Sequence, residues 1–508
     1  MDMNFMVAIK NIFTVTNILL AAGGTLMGII FGALPGFTAA MGVAVLLPIT
    51  FGMPPASGLI LLGALFGGAM YGGSISAILI NTPGTPAAAA TILDGHPMAK
   101  KGLAGEALRE AVFASFLGGI FGVTVLLLFA PPLAKISLMF GPPEYFLLAI
   151  FGLTIIAAIS EESLFKGLIA GVLGLLISTI GMDPLLGTPR FTMGIVNLID
   201  GVQLVPAMIG LFSIPETLAL VSSYLNKDTV SLINTTELRK IKVGFPNLRH
   251  IKSHAMIYLK SSMIGTYVGM LPGAGGSIAS FMAYNEAKRS SKHPEKFGTG
   301  ISEGIAASES ANNAMASGAL IPMLTLGVPG DSVAAIIMGG LMVHGLEPGA
   351  QLFARNGDIV YTFIIALYLA NVMMLLFGTF CAPYFTIVTN TPKHILSACV
   401  MMLTVIGSYA LRGNVFDVYV MITFGLLGYI MKSHGFSVIP TVLGIILGPI
   451  AEKGLNGTIA ISHGENILLF MLSRPISLIL IVFTLLSVGV PLYRRIKGSR
   501  GKTAGNVE

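Results

Sequence analysis

Charge is what this chain most conspicuously lacks. From Asn11 to Leu93 there is no Asp, Glu, Lys, Arg or His, and over all 508 residues charged side chains make up 10%, against roughly 25% in soluble domains. Hydrophobic residues reach 54% and the mean hydropathy is +0.85, which excludes an ordinary soluble surface. A spanning helix needs about 20 apolar residues, so the uncharged stretch alone holds three or four membrane elements. It runs on into Pro35-Gly36 without a small-residue cleavage site, which argues against a cleavable signal. Cysteine is almost as scarce: Cys381 and Cys399 sit in apolar surroundings and offer neither a disulfide framework nor metal-ligand spacing. Catalytic signatures are missing too. No G-x-x-x-x-G-K-[ST], H-E-x-x-H or G-x-S-x-G occurs, so ATP use, zinc hydrolysis and a serine nucleophile are not expected, and the chain is read as a non-enzyme without catalytic residues, cofactor or structural metal. His96 and His344 are read as loop residues.

The charges that are present are sorted by place. Lys227, Arg239, Lys240, Lys242, Arg249 and Lys252 outnumber Asp228 and Glu237 in 226–254; Lys288, Arg289, Lys292 and Lys296 crowd 285–296; Arg494, Arg495, Lys497, Arg500 and Lys502 end the chain. An excess of Lys and Arg marks cytoplasmic loops, so these regions and the C-terminus are assigned to the cytoplasm, and the net charge of +6 reflects topology rather than nucleic-acid binding. Apolar blocks at 111–132, 145–159, 164–180, 197–223, 255–284, 312–345, 359–392, 395–411, 414–431, 436–451 and 467–493 complete an all-α polytopic membrane protein of about 12 spans, some of them re-entrant or broken helical hairpins. The 255–284 block has basic flanks on both sides and Leu271-Pro272-Gly273 in its middle, so it is read as a broken or re-entrant hairpin.

Three landmarks recur in order. Gly28-x-x-x-Gly32-x-Leu34-Pro35-Gly36 returns as Gly265-x-x-x-Gly269-x-Leu271-Pro272-Gly273; Asn81-Thr82-Pro83-Gly84-Thr85 corresponds to Gly327-Val328-Pro329-Gly330-Asp331-Ser332; and Val205-Pro206 with Gly210 and Pro215 matches Ile439-Pro440 with Gly444 and Pro449. The chain is therefore divided into a first repeat (11–223), a basic connector (224–254), a second repeat (255–465), an extra terminal span (466–493) and a tail (494–508). The repeats are taken as inverted, although inversion requires an odd number of crossings per half.

Paired Gly-Pro breaks in apolar segments are where secondary transporters expose backbone to substrate near mid-membrane; elsewhere in lipid they would leave peptide groups unsatisfied. Proline removes a donor, disfavours α geometry in the residue before it, and glycine permits positive φ, so both Pro-Gly turns are expected to open new helices, with Gly84 and Gly330 at positive φ. A helix start offers free N–H groups and partial positive charge suited to a carboxylate. Pro35, Gly36, Asn81, Thr82, Pro83, Gly84, Thr85, Pro272, Gly273, Gly327, Pro329, Gly330, Asp331 and Ser332 form the expected substrate site; packing kinks are the competing reading. Glu309, Asn312 and Asn313 fall on one face of a polar helix. With Asn81 and Asp331 they are the coupling-ion candidates if the segment lies within the bilayer, and a solvated face if it is interfacial. Neutral oxygens near the breaks favour Na+; Glu309 or Asp331 titrating as an H+ carrier is the rival.

Particular strings carry a resemblance. Leu34-Pro35-Gly36 through Leu46-Leu47-Pro48, Tyr71-Gly72-Gly73-Ser74, Leu79-Ile80-Asn81-Thr82-Pro83-Gly84, Asp94-Gly95-His96-Pro97-Met98-Ala99, Arg190-Phe191-Thr192 with Asp200-Gly201, Ala283-Tyr284 through Lys288-Arg289, Phe297-Gly298-Thr299-Gly300 and Glu309-Ser310-Ala311-Asn312-Asn313-Ala314 closely resemble the large membrane subunit of tripartite tricarboxylate transporters, the TctA family, over about residues 20–470. Ser308 and Ala350 stand where that family commonly has proline. The resemblance implies a bacterial inner-membrane permease that works with a small membrane subunit of about four helices and a periplasmic solute-binding protein to import tri- or dicarboxylates on a cation gradient. The alternative is a stand-alone ion-coupled carboxylate transporter or channel.

Overall fold

The computed structural model describes residues 3–159, 164–225, 243–382, 384–385 and 391–503; most of the basic connector and the last five residues lie outside them. The chain folds as helices α1 (Met3–Ile12), α2 (Val15–Ala33), α3 (Ala39–Leu46), α4 (Pro55–Ile80), α5 (Ala89–Lys100), α6 (Ala104–Ser137), α7 (Pro142–Ile159), α8 (Leu164–Ser178), α9 (Leu204–Leu225), α10 (Leu248–Met270), α11 (Gly275–Ser290), α12 (Ser302–Leu326), α13 (Ser332–Val343), α14 (Ala350–Arg355), α15 (Gly357–Phe380), α16 (Lys393–Ala410), α17 (Val415–Ser433), α18 (Ile439–Ile461), α19 (Ile467–Leu472) and α20 (Pro475–Thr503). Two-residue strands β1 (Gly181–Met182) and β2 (Pro189–Arg190) pair antiparallel in the α8–α9 connection. Among the described residues six helices, α2, α4, α6, α9, α15 and α17, are long and apolar enough to cross a membrane, with six shorter apolar helices beside them. The chain is an all-α polytopic membrane protein.

Glycine sets the closest packing. On α2, side chains at Gly24, Gly28 and Gly32 would run into the α4 carbonyl oxygens of Leu61, Leu65 and Ala69. On α10, Gly265 and Gly269 face the α12 carbonyls of Ala311 and Met315 in the same way. Small residues let backbones meet where lipid supplies no hydrophobic drive. The partner helices α4 and α12 are buried along nearly their whole length, as expected of a helix apolar or shielded all round. Other contacts come in matched pairs: α4 on α15 and α12 on α6; α9 on α17 and α18 on α8; α9 on α16 and α18 on α7; α3 on α13 and α11 on α5.

Several boundaries differ from the sequence reading. The 197–223 block becomes helical only at Leu204, after a loop and a short turn at Val196–Leu198, whereas the 312–345 block is divided at the Gly327–Gly330 turn as expected. The terminal block is broken at Ser473-Arg474, where Arg474 pairs with Glu144 at 2.6 Å and Pro475 starts a new helix. His96 is helical, within α5, with Nδ1 3.1 Å from the Ile78 carbonyl; His344 is the C-cap of α13. In 255–284, α10 ends at Met270 and α11 begins at Gly275, so this block is broken at Leu271-Pro272-Gly273 as its sequence predicts.

Candidate functional site

The breaks are built by local backbone chemistry. Asn81 ends α4 in the left-handed region (φ 56°) and Gly327 ends α12 likewise (φ 71°), the usual way to close a helix. The expected positive φ at Gly84 and Gly330 is not found: neither is among the residues with positive φ. Space is the constraint there. The Gly84 N–H donates to the Gly73 carbonyl and the Gly330 N–H to the Ala319 carbonyl, each at 3.2 Å. A Cβ at either would strike the Gly32 or Gly269 carbonyl oxygen respectively. Positive φ occurs instead at Gly36 and Gly273, both 81°, and the Gly273 N–H donates to the Gly330 carbonyl at 2.7 Å. The second Leu-Pro-Gly turn is thereby locked against the Pro-Gly turn that follows it.

A cavity of about 440 Å³ opens beside these turns. Its wall brings together the starts of α3, α5, α11 and α13: Thr38, Thr85, Gly273–Ser277 and Asp331–Val333. Two of these starts are satisfied by their own side chains. Thr38 accepts the Met41 N–H at 3.2 Å and Asp331 accepts the Ala334 N–H at 2.8 Å. The start of α11 at Ala274 and the short turn Pro86–Ala88 that leads into α5 have no side-chain cap. Uncapped N–H groups and the positive helix end attract an anion. Lys166 and Lys432 bring positive charge to the wall, which the carboxylates of Glu216 and Asp331 also line. Lys166 donates to the His434 carbonyl at 2.7 Å and lies over the Phe436 ring; Lys432 pairs with Glu216 at 2.7 Å.

Of the residues singled out from sequence, Thr85, Gly273, Asp331 and Ser332 line this cavity. Pro35, Gly36, Asn81, Thr82, Pro83, Gly84, Pro272, Gly327, Pro329 and Gly330 are absent from the lining and shape the turns behind it. The 302–317 segment is no solvated face: Glu309, Asn312 and Asn313 are 0%, 0% and 2% exposed inside α12. The Glu309 carboxylate accepts hydrogen bonds from the Thr91 hydroxyl and, at 3.0 Å, from the Ser115 hydroxyl. Asn312 donates to the Met70 carbonyl at 3.1 Å, and Met70 itself lines the cavity. The Asn312 Oδ1 and Thr85 Oγ1 atoms are buried without a hydrogen-bond partner, and Asn312 Oδ1 lies directly behind Gly276 of the wall. Asn313 faces a separate cavity of roughly 20 Å³ with Asn371.

Sequence reasoning missed Lys166, Lys432 and Thr38. The signal was faint: each lysine is a single cation at the end of an apolar block, a pattern that ordinarily marks only the membrane interface. It also missed the work of Asp94. That buried carboxylate accepts the N–H groups of Gly298, Gly300 and Ile301 at 2.8–3.1 Å and the Tyr284 hydroxyl at 2.8 Å, and so fixes the loop that starts α12.

A helical, multi-pass membrane protein that gathers its polar chemistry at paired helix breaks around an internal cavity has the architecture of a transporter. The comparisons agree: the profile of the "Tripartite tricarboxylate transporter TctA family" matches residues 18–443, and this chain belongs to that family. It is 34% identical over 499 residues to an Agrobacterium vitis protein described as "Uncharacterized 52.8 kDa protein in TAR-I ttuC' 3'region", covering 98% of each. It is also 33% identical over 236 residues to "Uncharacterized protein in TAR-II ttuC' 3'region" of the same organism, covering 46% of this chain and 97% of that protein. No solved structure matches the chain.

Proposed function

We propose that this chain is the large permease subunit of a binding-protein-dependent importer that carries tri- or dicarboxylates across the bacterial inner membrane on a cation gradient, together with a small membrane subunit of about four helices and a periplasmic binding protein. One observation carries the reading of an anionic substrate: the uncapped starts of α11 and of the turn before α5 share one cavity with Lys166 and Lys432. Backbone N–H groups hold one carboxylate without a counter-charge of their own, and the lysines on the far elements attract another. The coupling ion in this reading is Na+. The unpartnered Thr85 and Asn312 oxygens beside the cavity are neutral, hard ligands of the kind Na+ takes.

Glu309, buried among the Thr91 and Ser115 hydroxyls, supports a second reading in which H+ is carried. Uptake into proteoliposomes under separately imposed Na+ and pH gradients decides between them. Accumulation driven by Na+ alone and weakened in Thr85→Val is the expected result. Accumulation driven by a pH gradient without Na+, and lost in Glu309→Gln, overturns the Na+ assignment. The same vesicles, given a panel of carboxylates with and without the binding protein, test the anionic substrate and the partner dependence; equal uptake without the binding protein returns the stand-alone alternative.

A further inference from the structure

Away from the cavity, α10 opens with histidines at 250 and 254, one turn apart and therefore on one face. Their rings stack with centroids 4.1 Å apart. The His254 Nδ1 lies 3.1 Å from the His250 carbonyl oxygen and 3.0 Å from the Ser253 hydroxyl; with the proton on Nδ1, Nε2 is the ligating nitrogen. Ligating histidines are held in this way by a carbonyl or carboxylate on the other ring nitrogen. Glu110 of α6 supplies a third donor. Its Oε2 is 2.5 Å from His250 Nε2, while its Oε1 accepts the Tyr258 hydroxyl at 2.6 Å, which aims the carboxylate. The two imidazole nitrogens and the carboxylate oxygen all lie within 4.8 Å of one another. Ser302 Oγ is 2.9 Å from His254 Nε2, and Glu303 Oε2 is 4.0 Å away, both at the start of α12.

We propose that Glu110, His250 and His254 form a binding site for a divalent transition-metal ion of the zinc type, bracing α6 against α10 beside the start of α12. Two imidazoles and one carboxylate match a His2Glu zinc set with a fourth position left for water or the Ser302 hydroxyl. Ca2+ and Mg2+ prefer oxygen ligands throughout and do not fit. Tetrahedral ligands at about 2.0–2.1 Å from the ion stand roughly 3.4 Å apart, so binding moves Glu110 Oε2 and His250 Nε2 apart from their 2.5 Å contact, with all three donors starting within 4.8 Å of one another. Entry is open, because the His250 side chain is 24% exposed whereas Glu110 is 2% exposed. The other explanation of the cluster is an ion pair between Glu110 and His250 that needs no metal. His254 separates the two, since its removal leaves the Glu110–His250 and Glu110–Tyr258 bonds in place.

The test is titration of the purified full-length chain, carrying no histidine tag, with ZnCl2 after treatment with a chelator. Zn2+ is expected to bind at one ion per chain with micromolar or tighter affinity and to raise the unfolding temperature, while MgCl2 does neither. His254→Gln should weaken Zn2+ binding at least tenfold, as loss of even a supporting ligand does, and leave the unfolding temperature in chelator unchanged. His250→Gln serves as the second variant if the first does not yield monodisperse protein. Absence of Zn2+ binding by the unmodified chain, or undiminished binding by either variant, overturns the proposal.

Discussion

At the residue scale, the two Pro-Gly turns show how a correct motif can carry a wrong reason. Glycine was expected at 84 and 330 for its positive φ, yet the left-handed positions are Asn81 and Gly327, and Gly84 and Gly330 are small because a carbonyl from the neighbouring helix occupies the place of a side chain. Pattern shows that a glycine is needed; only packing shows why. The distinction is measurable. Asn81→Gly should keep uptake, because glycine suits the left-handed region. Gly84→Val and Gly330→Val should abolish uptake at ordinary membrane insertion, with an overpacking cost of about 1–3 kcal/mol each. Normal uptake by both valine variants would detach these turns from the site. The cavity lysines give a second residue-scale expectation. Lys166→Gln and Lys432→Gln should each raise KM for carboxylate. Thermal stability should hardly move in Lys432→Gln, because the ion pair with Glu216 has a half-exposed lysine and such pairs are worth little. An unchanged KM in both variants would remove the lysines from the site.

At the scale of the element, most helices were legible because membrane helices advertise themselves by length and by lack of charge, and because Pro-Gly pairs mark their breaks. What was not legible depended on tertiary partners. The polar face of α12 reads equally as a solvated surface or a buried site until Thr91, Ser115 and Met70 are brought against it. The α19–α20 break was hidden in an apolar run because Arg474 turns inward to Glu144. The H-x-x-x-H pair at 250 and 254 was in plain view, but a segment dominated by Lys and Arg was read for its charge alone. Of the α8–α9 loop, the sequence assigns 197–203 to an apolar span and leaves 181–196 outside one. The loop is tied down by Arg190, which forms paired hydrogen bonds to Glu452 of α18 at 2.7 and 3.1 Å and an ion pair with Asp183 at 3.2 Å. The Leu186 and Leu185 N–H groups, with Arg190, hold the Asp183 carboxyl below its usual range, and the Glu452 hydrogen bond raises Arg190 further. A depressed carboxyl stabilises the fold above its unfolded pKa, about 4, and the contribution is lost as pH falls through the lower folded value. Glu452→Gln should therefore speed proteolysis within 185–196 at neutral pH; an unchanged cleavage rate would show that the loop is held by other contacts.

At the scale of the whole molecule, we read the matched helix pairs as two copies of one unit wound through each other: α4 leans on α15 and α12 on α6. Topology follows from the basic segments. Reporters fused within 226–254, within 285–296 and after Arg500 should all report cytoplasm, and an external 285–296 reporter would refute the broken-hairpin path of α10 and α11. The exchange between halves also bears on how the chain is made. The carboxylate of Glu309 finds Ser115 and Thr91 across 194 and 218 residues of sequence, and the amides that Asp94 caps follow it by 204 to 207. A ribosome therefore delivers the first half into the membrane with these groups still waiting for partners, and neither half completes its polar interior by itself. Expressed separately as 1–225 and 243–508, each piece should be degraded, whereas the two produced together should assemble and transport. The unit of biogenesis is then the entire chain, and the membrane insertion machinery must shelter its first half until the second has been translated.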